Sequence, residues 1–339
     1  MHVRVSAKGA VQLGEVVVCD GFITGYKVRV QTHVHMDHMD QFTTSKGYQD
    51  VLMTPATRDL LIAEYNGDLA YRENVKAVTV GEPFREDDCE ITLLNNGHML
   101  GSAQVAVTLP DGTRCGYSGD FSWPLDDVVQ VDELVVDTTY GSPASVRHFQ
   151  EEEADQQLAE LVVAKLYSGP IFLSAHRGTL QRSLSTLDDA VQCPVIASPK
   201  TYKEIEVYRR WGYSLTQVIS SDTAEAKQLR KGNRYISVDG IKRGPPQLPK
   251  GATSIVLSAF RGSKRHPIIE YSDKAYNISL SGHADYHGTI EYVRATGAKS
   301  VLTDNTRGGH AVELALALQQ ELGIEAKASE VQYYQDWGS

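Results

Sequence analysis

Apolar and polar positions alternate in short runs through the first part of the chain: VRVSA, AVQLGEVVVCD and KVRVQTH, then VKAVTV, CEITLLNNGH, SAQVAVTL, TRCGYSGD and DELVVDTTYG. A period of two is the mark of half-buried β-strands, and the Asp-Gly and Gly signals between runs mark turns. One helix interrupts them. In TPATRDLLIAEY, Thr54 stands at the N-cap position and Pro55 at the first helical position. From Val146 the pattern changes. HFQEEEADQQLAELVVAKLYSG carries apolar residues at helical spacing. PIFLSA, GTLQRSLSTLDDAVQ, CPVIASP and KTYKEIEVYRRWG then alternate strand and helix, the pattern of a parallel sheet. SIVLSAF, NISLSG and SVLTDN read as later strands, TIEYVRATG and AVELALALQQELG as helices. The change near residue 145 and the return near residue 275 predict one α/β domain, residues 146–274, inserted into another made of residues 1–145 and 275–339.

Composition narrows the class. With 339 residues, 41% hydrophobic and 22% charged, the chain reads as a globular protein of one large domain or two ordinary ones. A net charge of -10 is a poor match for nucleic acid or an acidic membrane unless a local surface is basic. The four cysteines are widely spaced without a CxxC, so reduced thiols are expected rather than a disulfide framework. No apolar run reaches membrane-spanning length, and MHVRVSAKGAVQLG has no hydrophobic signal core. The expected location is the cytoplasm, with no membrane partner and a homodimer left open.

The chemistry concentrates in HVHMDHMD, which follows the alternating run VRV. If extended geometry continues, His33 and His35 project from one side, and Asp37 and His38 come from the loop after the strand. Imidazole with carboxylate suits zinc, and also manganese or iron. Four ligands from one loop crowd a single ion, which points to two neighbouring ions. A histidine-rich surface loop is the bland alternative. His98 in NNGHMLGSAQV and Asp120 in YSGDFS, each at a strand end beside glycine, supply further ligands. Taken singly, either would more often be a structural turn residue.

THVHMDH resembles the HxHxDH signature of the metallo-β-lactamase superfamily, and GHMLGSAQ and YSGD resemble that superfamily's third and fourth motifs. DTTYG, LSAHRGTLQ and SLSGHADYH narrow the resemblance to the β-CASP nucleases. These include the cleavage-and-polyadenylation endonuclease, RNase J, DNA cross-link repair nucleases and ligase-associated exonucleases. The likeness runs from about Asp20 to about Asn305. It implies an α/β fold, the αββα metallo-β-lactamase sandwich, with an inserted α/β cap. It further implies one ion held by His33, His35 and His98, a second by Asp37 and His38, and Asp120 bridging them. Asp20 would order the ligand loop, Asp137 would support a ligand histidine, and His283 would sit near the scissile phosphate. Asp37, Asp137 and His283 are thus the expected catalytic residues. The cofactor expected is a pair of divalent ions, zinc or else manganese, in which a metal-activated hydroxide hydrolyses the phosphodiester.

One departure qualifies this. RNA-cleaving members carry a further histidine, often in a VHG-type sequence, that completes the second metal site. Here the corresponding stretch is VLTDNTRGGH, and Asn305 takes the histidine's place. Asp304 and His310 are the candidate substitutes, and the second site is the less certain one. DNA cross-link repair members also lack the histidine, which favours single-stranded DNA as partner and an exonuclease, with RNA and an RNA-processing ribonuclease as the alternative. A small-molecule hydrolase and an inactive nucleic-acid-binding subunit rank lower. Candidate phosphate contacts are His176, Arg177, Gly178 and Thr179, where a strand leads into a helix that Thr179 could cap, together with Ser281. Basic residues at Arg182, Lys200, Arg209, Arg261, Lys264, Arg265 and His266, and Tyr140, Tyr202 and Tyr286, are candidate substrate contacts whose commoner role is a solvated face or core packing.

Overall fold

A computed structural model describes residues 1–65, 68–241 and 248–330. It divides into two compact units: Met1–Ile62 with Gly67–Val146 and His283–Ser339, and Ala63–Asn66 with Arg147–Gly282.

The first unit holds two sheets. Strands Val3–Val5 (β1), Val11–Leu13 (β2), Val17–Cys19 (β3), Val28–Val30 (β4), Asp50–Met53 (β5) and Val75–Ala77 (β6) form one, in sequence order. The run AVQLGEVVVCD, read as one segment, is two antiparallel strands, β2 and β3, with Gly14 at positive φ between them. From β3 onward the pairing is parallel. The second sheet contains Phe84–Glu86 (β7), Cys89–Asn95 (β8), Ala103–Thr108 (β9), Arg114–Tyr117 (β10) and Glu133–Val136 (β11), extended by Ser300–Thr303 and Glu325–Ala328. It is antiparallel up to β10 and parallel beyond.

Alternation explains how the sheets stack. Val11, Leu13, Val28, Val30 and Leu52 of the first sheet share one buried cluster with Ile91, Leu93, Val105, Val107 and Tyr117 of the second. The opposite face of the second sheet, Leu134, Val136 and Val301, packs on helices Tyr286–Thr296 and Ala311–Leu322 through Ile290, Tyr292, Val293, Leu314 and Leu318. The helix Phe42–Tyr48 packs against β5 on the outer side of the first sheet. The layers run helix, sheet, sheet, helix, as the αββα reading requires. Thr54 caps the next helix, Pro55–Tyr65, by accepting the Thr57 N–H at 3.2 Å.

The second unit is built on one sheet: Ile171–Ala175 (β12), Val195–Ala197 (β13), Val218–Ser220 (β14), Ile236–Gly240 (β15), Thr253–Leu257 (β16), Ile268–Ser272 (β17) and Ala275–Ile278 (β18). Its spatial order is β14-β13-β15-β12-β16-β18-β17, parallel except for the β17–β18 hairpin. Three of these strands, β14, β15 and β17, lack a clear sequence signal. Strand β18, where the return to the outer domain was expected, pairs with β16 in this unit. All four cysteines are buried and free. Among the described residues no helix is long and apolar enough to cross a membrane.

Candidate metal centre

The site lies in the first unit, at the carboxyl ends of its parallel strands. Asp20 follows β3, the loop with His33, His35, Asp37 and His38 follows β4, Asp120 follows β10, and Asp137 follows β11. His98 sits in the turn between β8 and β9. The YSGD turn requires its glycine: Gly119 has φ +56°, and a Cβ there would meet the Ala103 carbonyl at 2.9 Å.

The ligand loop is held from below. Asp20 is fully buried, with φ 55°, an unusual backbone for a non-glycine residue. Its Oδ1 accepts the Thr32 N–H at 2.8 Å. Its Oδ2 accepts the Thr32 hydroxyl at 2.6 Å and faces His38 Nδ1 at 2.7 Å. Burial pushes the Asp20 carboxyl up, but His38, His33 and Arg307 outweigh it and hold it below its usual range. The ionised carboxylate therefore accepts the hydrogen bond from His38 Nδ1–H and leaves Nε2 as the ring atom that would meet an ion.

Three residues that sequence reasoning left without a role complete this scaffold. Arg29, fully buried, donates to the Asp40 and His38 carbonyls at 2.8 and 3.0 Å and to the Gln31 and Ser45 side chains. Burial pulls its pKa down to about 10. Gln31 Nε2 in turn donates to the His33 carbonyl at 2.7 Å. Arg307 reaches the Gly9 and Asp37 carbonyls at 2.5 and 3.3 Å. The signal for Arg29 was present in VRVQ, where a charge sits inside a strand with apolar neighbours on both sides.

Above the scaffold the side chains converge. His33, His35, His98 and Asp120 present ligand atoms within 4.8 Å of one another, as do Asp37, His38 and Asp120, and Asp120, Asp137 and His283. Asp120 belongs to all three groups. Its Oδ1 lies 3.1 Å from His38 Nε2, and its Oδ2 3.5 Å from His33 Nε2 and 3.7 Å from both His98 Nε2 and His283 Nε2. His35 Nδ1 and His98 Nε2 are 3.1 Å apart, close to the ligand–ligand edge of a tetrahedral site with metal–nitrogen bonds of about 2.0–2.1 Å.

The donor set fits a metal. The Nε2 atoms of His33 and His38 are buried without a hydrogen-bond partner, a cost that coordination removes. Burial, with His33 and His98 beside it, drives His35 well below its usual range, so it is a neutral donor. Burial also pushes Asp120 up, but His38 and His283 hold it well below the carboxylate range. Without an ion, His38 is the group that balances the carboxylates: burial draws it down, yet Asp120 and Asp20 carry it up to about 10. The cluster thus demands positive charge, and its His and Asp groups could bind metal ions.

On the third side His283 Nδ1 faces Asp137 Oδ2 at 2.9 Å. Burial draws its pKa down, while Asp120 and Asp137 raise it above its usual value. Asp137 Oδ1 accepts the Thr139 N–H and hydroxyl at 2.9 and 2.8 Å, which fixes the carboxylate.

No family model matches the chain. Curated relatives do. It is 26% identical over 321 residues to a probable DNA ligase of Opitutus terrae, covering 88% of this chain and 28% of that one. It is 26% identical over 334 residues to an RNase J-like protein of Methanocaldococcus jannaschii, covering 78% and 77%. It is 28% identical over 390 residues to the transcription termination factor FttA of Methanothermobacter thermautotrophicus, covering 87% and 60%. The chain thus spans less than two thirds of the ligase and of the termination factor. A solved protein of unknown function from Enterococcus faecalis V583 shares the fold, with TM-score 0.60 at 12% identity over 91% of this chain and 81% of that one. The chain belongs to the β-CASP family of the metallo-β-lactamase superfamily.

Within this β-CASP chain the remaining expected site residues have other partners. Asp304 is not brought into any of the His/Asp groups among the described residues. Its carboxylate pairs with Arg307 and accepts the Thr306 N–H and hydroxyl at 2.9 and 2.6 Å. His310 lies at the start of the last helix, 44% exposed and 3.4 Å from Glu313. The backbone N–H of Asn305 goes to Ser329 Oγ.

The expected phosphate contacts lie in the second unit. There Arg177 makes a two-pronged bridge to Glu64, at 2.7 and 2.8 Å, and its Nε lies 3.3 Å from Glu204. Gly178, not Thr179, stands at the cap position, and its N–H is taken by the Gln181 side chain at 2.9 Å. The arginine charge and one of the helix amides assigned to phosphate are therefore already engaged. His176 is exposed and Ser281 is buried. Arg182 pairs with Glu151 and Asp155, Lys200 with Glu64, and Arg209 with Glu206. Tyr140 and Tyr286 are packed in the first unit and not available for stacking.

Proposed function

We propose that the protein is a metal-dependent phosphodiesterase that hydrolyses nucleic acid. The observation that carries the reading is the convergence on Asp120 of His33 and His38, whose buried Nε2 atoms have no hydrogen-bond partner, together with His35 and His98, and with a fifth histidine, His283, held by its own carboxylate. His33, His35, His98 and Asp120 would hold one ion, and Asp37, His38 and Asp120 a second. Zinc is the favoured metal, manganese the next. When bound, such ions neutralise the phosphoryl oxygens and make water a nucleophile at neutral pH. Asp20 keeps His38 in the tautomer with Nε2 free for coordination, and Arg29 with Gln31 fixes the loop that presents Asp37.

His283 is placed for proton transfer. Asp137 holds Nδ1, so the imidazolium form would donate from Nε2 to a departing alkoxide. Against its burial, Asp120 and Asp137 raise its pKa above the usual value, the direction that favours the imidazolium.

Single-stranded DNA is the proposed substrate class, and exonucleolytic attack the proposed mode. Asn305 stands where RNA-cleaving relatives carry a ligand histidine, and neither Asp304 nor His310 makes up the loss. Similarity to an RNase J-like protein keeps RNA as the competing substrate.

The test is cleavage of matched 5′-labelled single-stranded DNA and RNA by the full chain with zinc or manganese, with Asp120→Asn as control. Cleavage lost in the control supports the reading. Equal cleavage by wild type and Asp120→Asn overturns it. RNA-only cleavage keeps the metal site and discards the DNA preference.

A further inference from the structure

We propose that Phe260 is a stacking platform for a nucleobase of single-stranded nucleic acid, at the carboxyl edge of the parallel sheet in the second unit. The proposal rests on the nuclease reading and adds a base-contacting residue to it.

Topology gives the first argument. β12 and β16 are adjacent and parallel, with Ala175 opposite Leu257. The chain leaves β12 for β13 on one side of the sheet, and leaves β16 for the β17–β18 hairpin on the other. The loops after these two strands therefore diverge, and such a switch point opens a crevice at the carboxyl ends of the strands, where ligands of open α/β sheets bind. One of these loops starts with the exposed His176, and the other carries Phe260.

Phe260 is 84% exposed. Leaving a phenyl ring in water forgoes the free energy of burying it, which a free loop would recover by folding the ring inward. This loop is not free. Ser258 and Ala259 donate to the Ile278 and Leu280 carbonyls at 2.8 and 3.1 Å. Ser263 Oγ accepts the Arg265 and His266 N–H groups, and its carbonyl accepts the Ser279 hydroxyl at 3.0 Å. Between these anchors Gly262 lies so close to the residue that follows β18 that a Cβ would meet Ser279 Oγ at 1.7 Å. The ring is held outward on a backbone fixed on both sides, which lowers the ordering cost of binding.

Charge gives the third argument. Arg177, Arg182 and Arg209 are committed to acidic partners. Arg261 and Arg265, one and five positions after Phe260, are exposed and have no ion-pair partner among the described residues. An exposed aromatic ring on a loop that also carries two uncommitted guanidinium groups suits a base of a strand whose phosphates those groups can meet. Every base has a π-face, so this contact is tolerant of sequence.

The experiment measures fluorescence anisotropy of labelled oligothymidylate, oligouridylate and an abasic strand of equal length. The protein is the full chain carrying His35→Ala, so that the probes stay intact. Adding Phe260→Ala should weaken binding of the base-bearing probes about five- to a hundred-fold, leave the abasic strand little changed, and be reversed by Phe260→Trp. Loss on one of the two base-bearing probes alone supports the contact for that strand. Unchanged binding of both in Phe260→Ala overturns it. Hydrolysis of bis(p-nitrophenyl) phosphate by wild type, with zinc or manganese, reads the premise separately. A protein that turns over this ester while Phe260→Ala binds as before is a phosphodiesterase without the stacking contact. One that neither turns it over nor binds any probe overturns both readings.

Discussion

Replacing Asp20 by Asn tests whether the ligand loop is held as the geometry indicates. The carboxylate accepts the Thr32 N–H at 2.8 Å on Oδ1, and on Oδ2 accepts the Thr32 hydroxyl at 2.6 Å and contacts His38 Nδ1 at 2.7 Å, all without exposure to water. An amide has one acceptor oxygen. With that oxygen in the Oδ2 place, the new NH2 faces the Thr32 N–H; flipped, it faces His38 and the Thr32 hydroxyl. Either way a buried donor meets a donor, at about 1–3 kcal/mol, and the contacts that survive lose the strength that charge gave them, roughly half. His38 also loses the partner that offsets its burial. The sum is about 3–5 kcal/mol, the usual cost of removing one member of a buried pair. Because His38 is then free to take the wrong tautomer, metal affinity should fall by about 10–100-fold. The assay is denaturant unfolding of chelator-treated wild type and Asp20→Asn, followed by zinc titration against a competing chelator. Equal unfolding midpoints together with equal zinc affinity would refute the role assigned to Asp20.

Three further outcomes follow from other parts of the structure. Arg29→Met leaves the Asp40 carbonyl and the Gln31 side-chain oxygen without a donor and takes one of two donors from the His38 carbonyl; it should cost about 3 kcal/mol or more, and a melting temperature equal to wild type would count against the clamp. Glu64 is pushed up by burial, but Arg177 and Lys200 outweigh this and hold it below its usual value, so its stabilisation is complete above the unfolded glutamate value of about 4.3 and fades as pH falls through the lower folded value. The stability gap between wild type and Glu64→Gln should therefore be full at neutral pH and close in acid, as read by melting across pH; a gap that widens in acid is the wrong sign. The four buried thiols, with Cys19 and Cys115 raised by desolvation, should resist a thiol reagent until the protein unfolds, and fast labelling of native protein would show a looser core.

Local patterning decided much of this protein. The period-two runs, the capped helix at Thr54–Pro55 and the shift to alternating strand and helix after Val146 follow from side-chain alternation and turn chemistry, which act over a few residues. The candidate cluster of His and Asp side chains was legible for the same reason. His33, His35, Asp37 and His38 share one loop, and His98 and Asp120 stand at strand ends beside glycines. What a short window cannot hold is partnership between distant residues. The commitment of Arg177 to Glu64 and of Asp304 to Arg307, the burial of Arg29 beneath the ligand loop, and the meeting of Asp137 with His283 across 146 positions of chain depend on which strands lie side by side. The exposure of Phe260 is of the same kind. In sequence it is one more apolar residue after a strand. Only the order of β12 and β16 in the sheet, and the glycine that locks the loop to the residue after β18, turn its ring towards solvent.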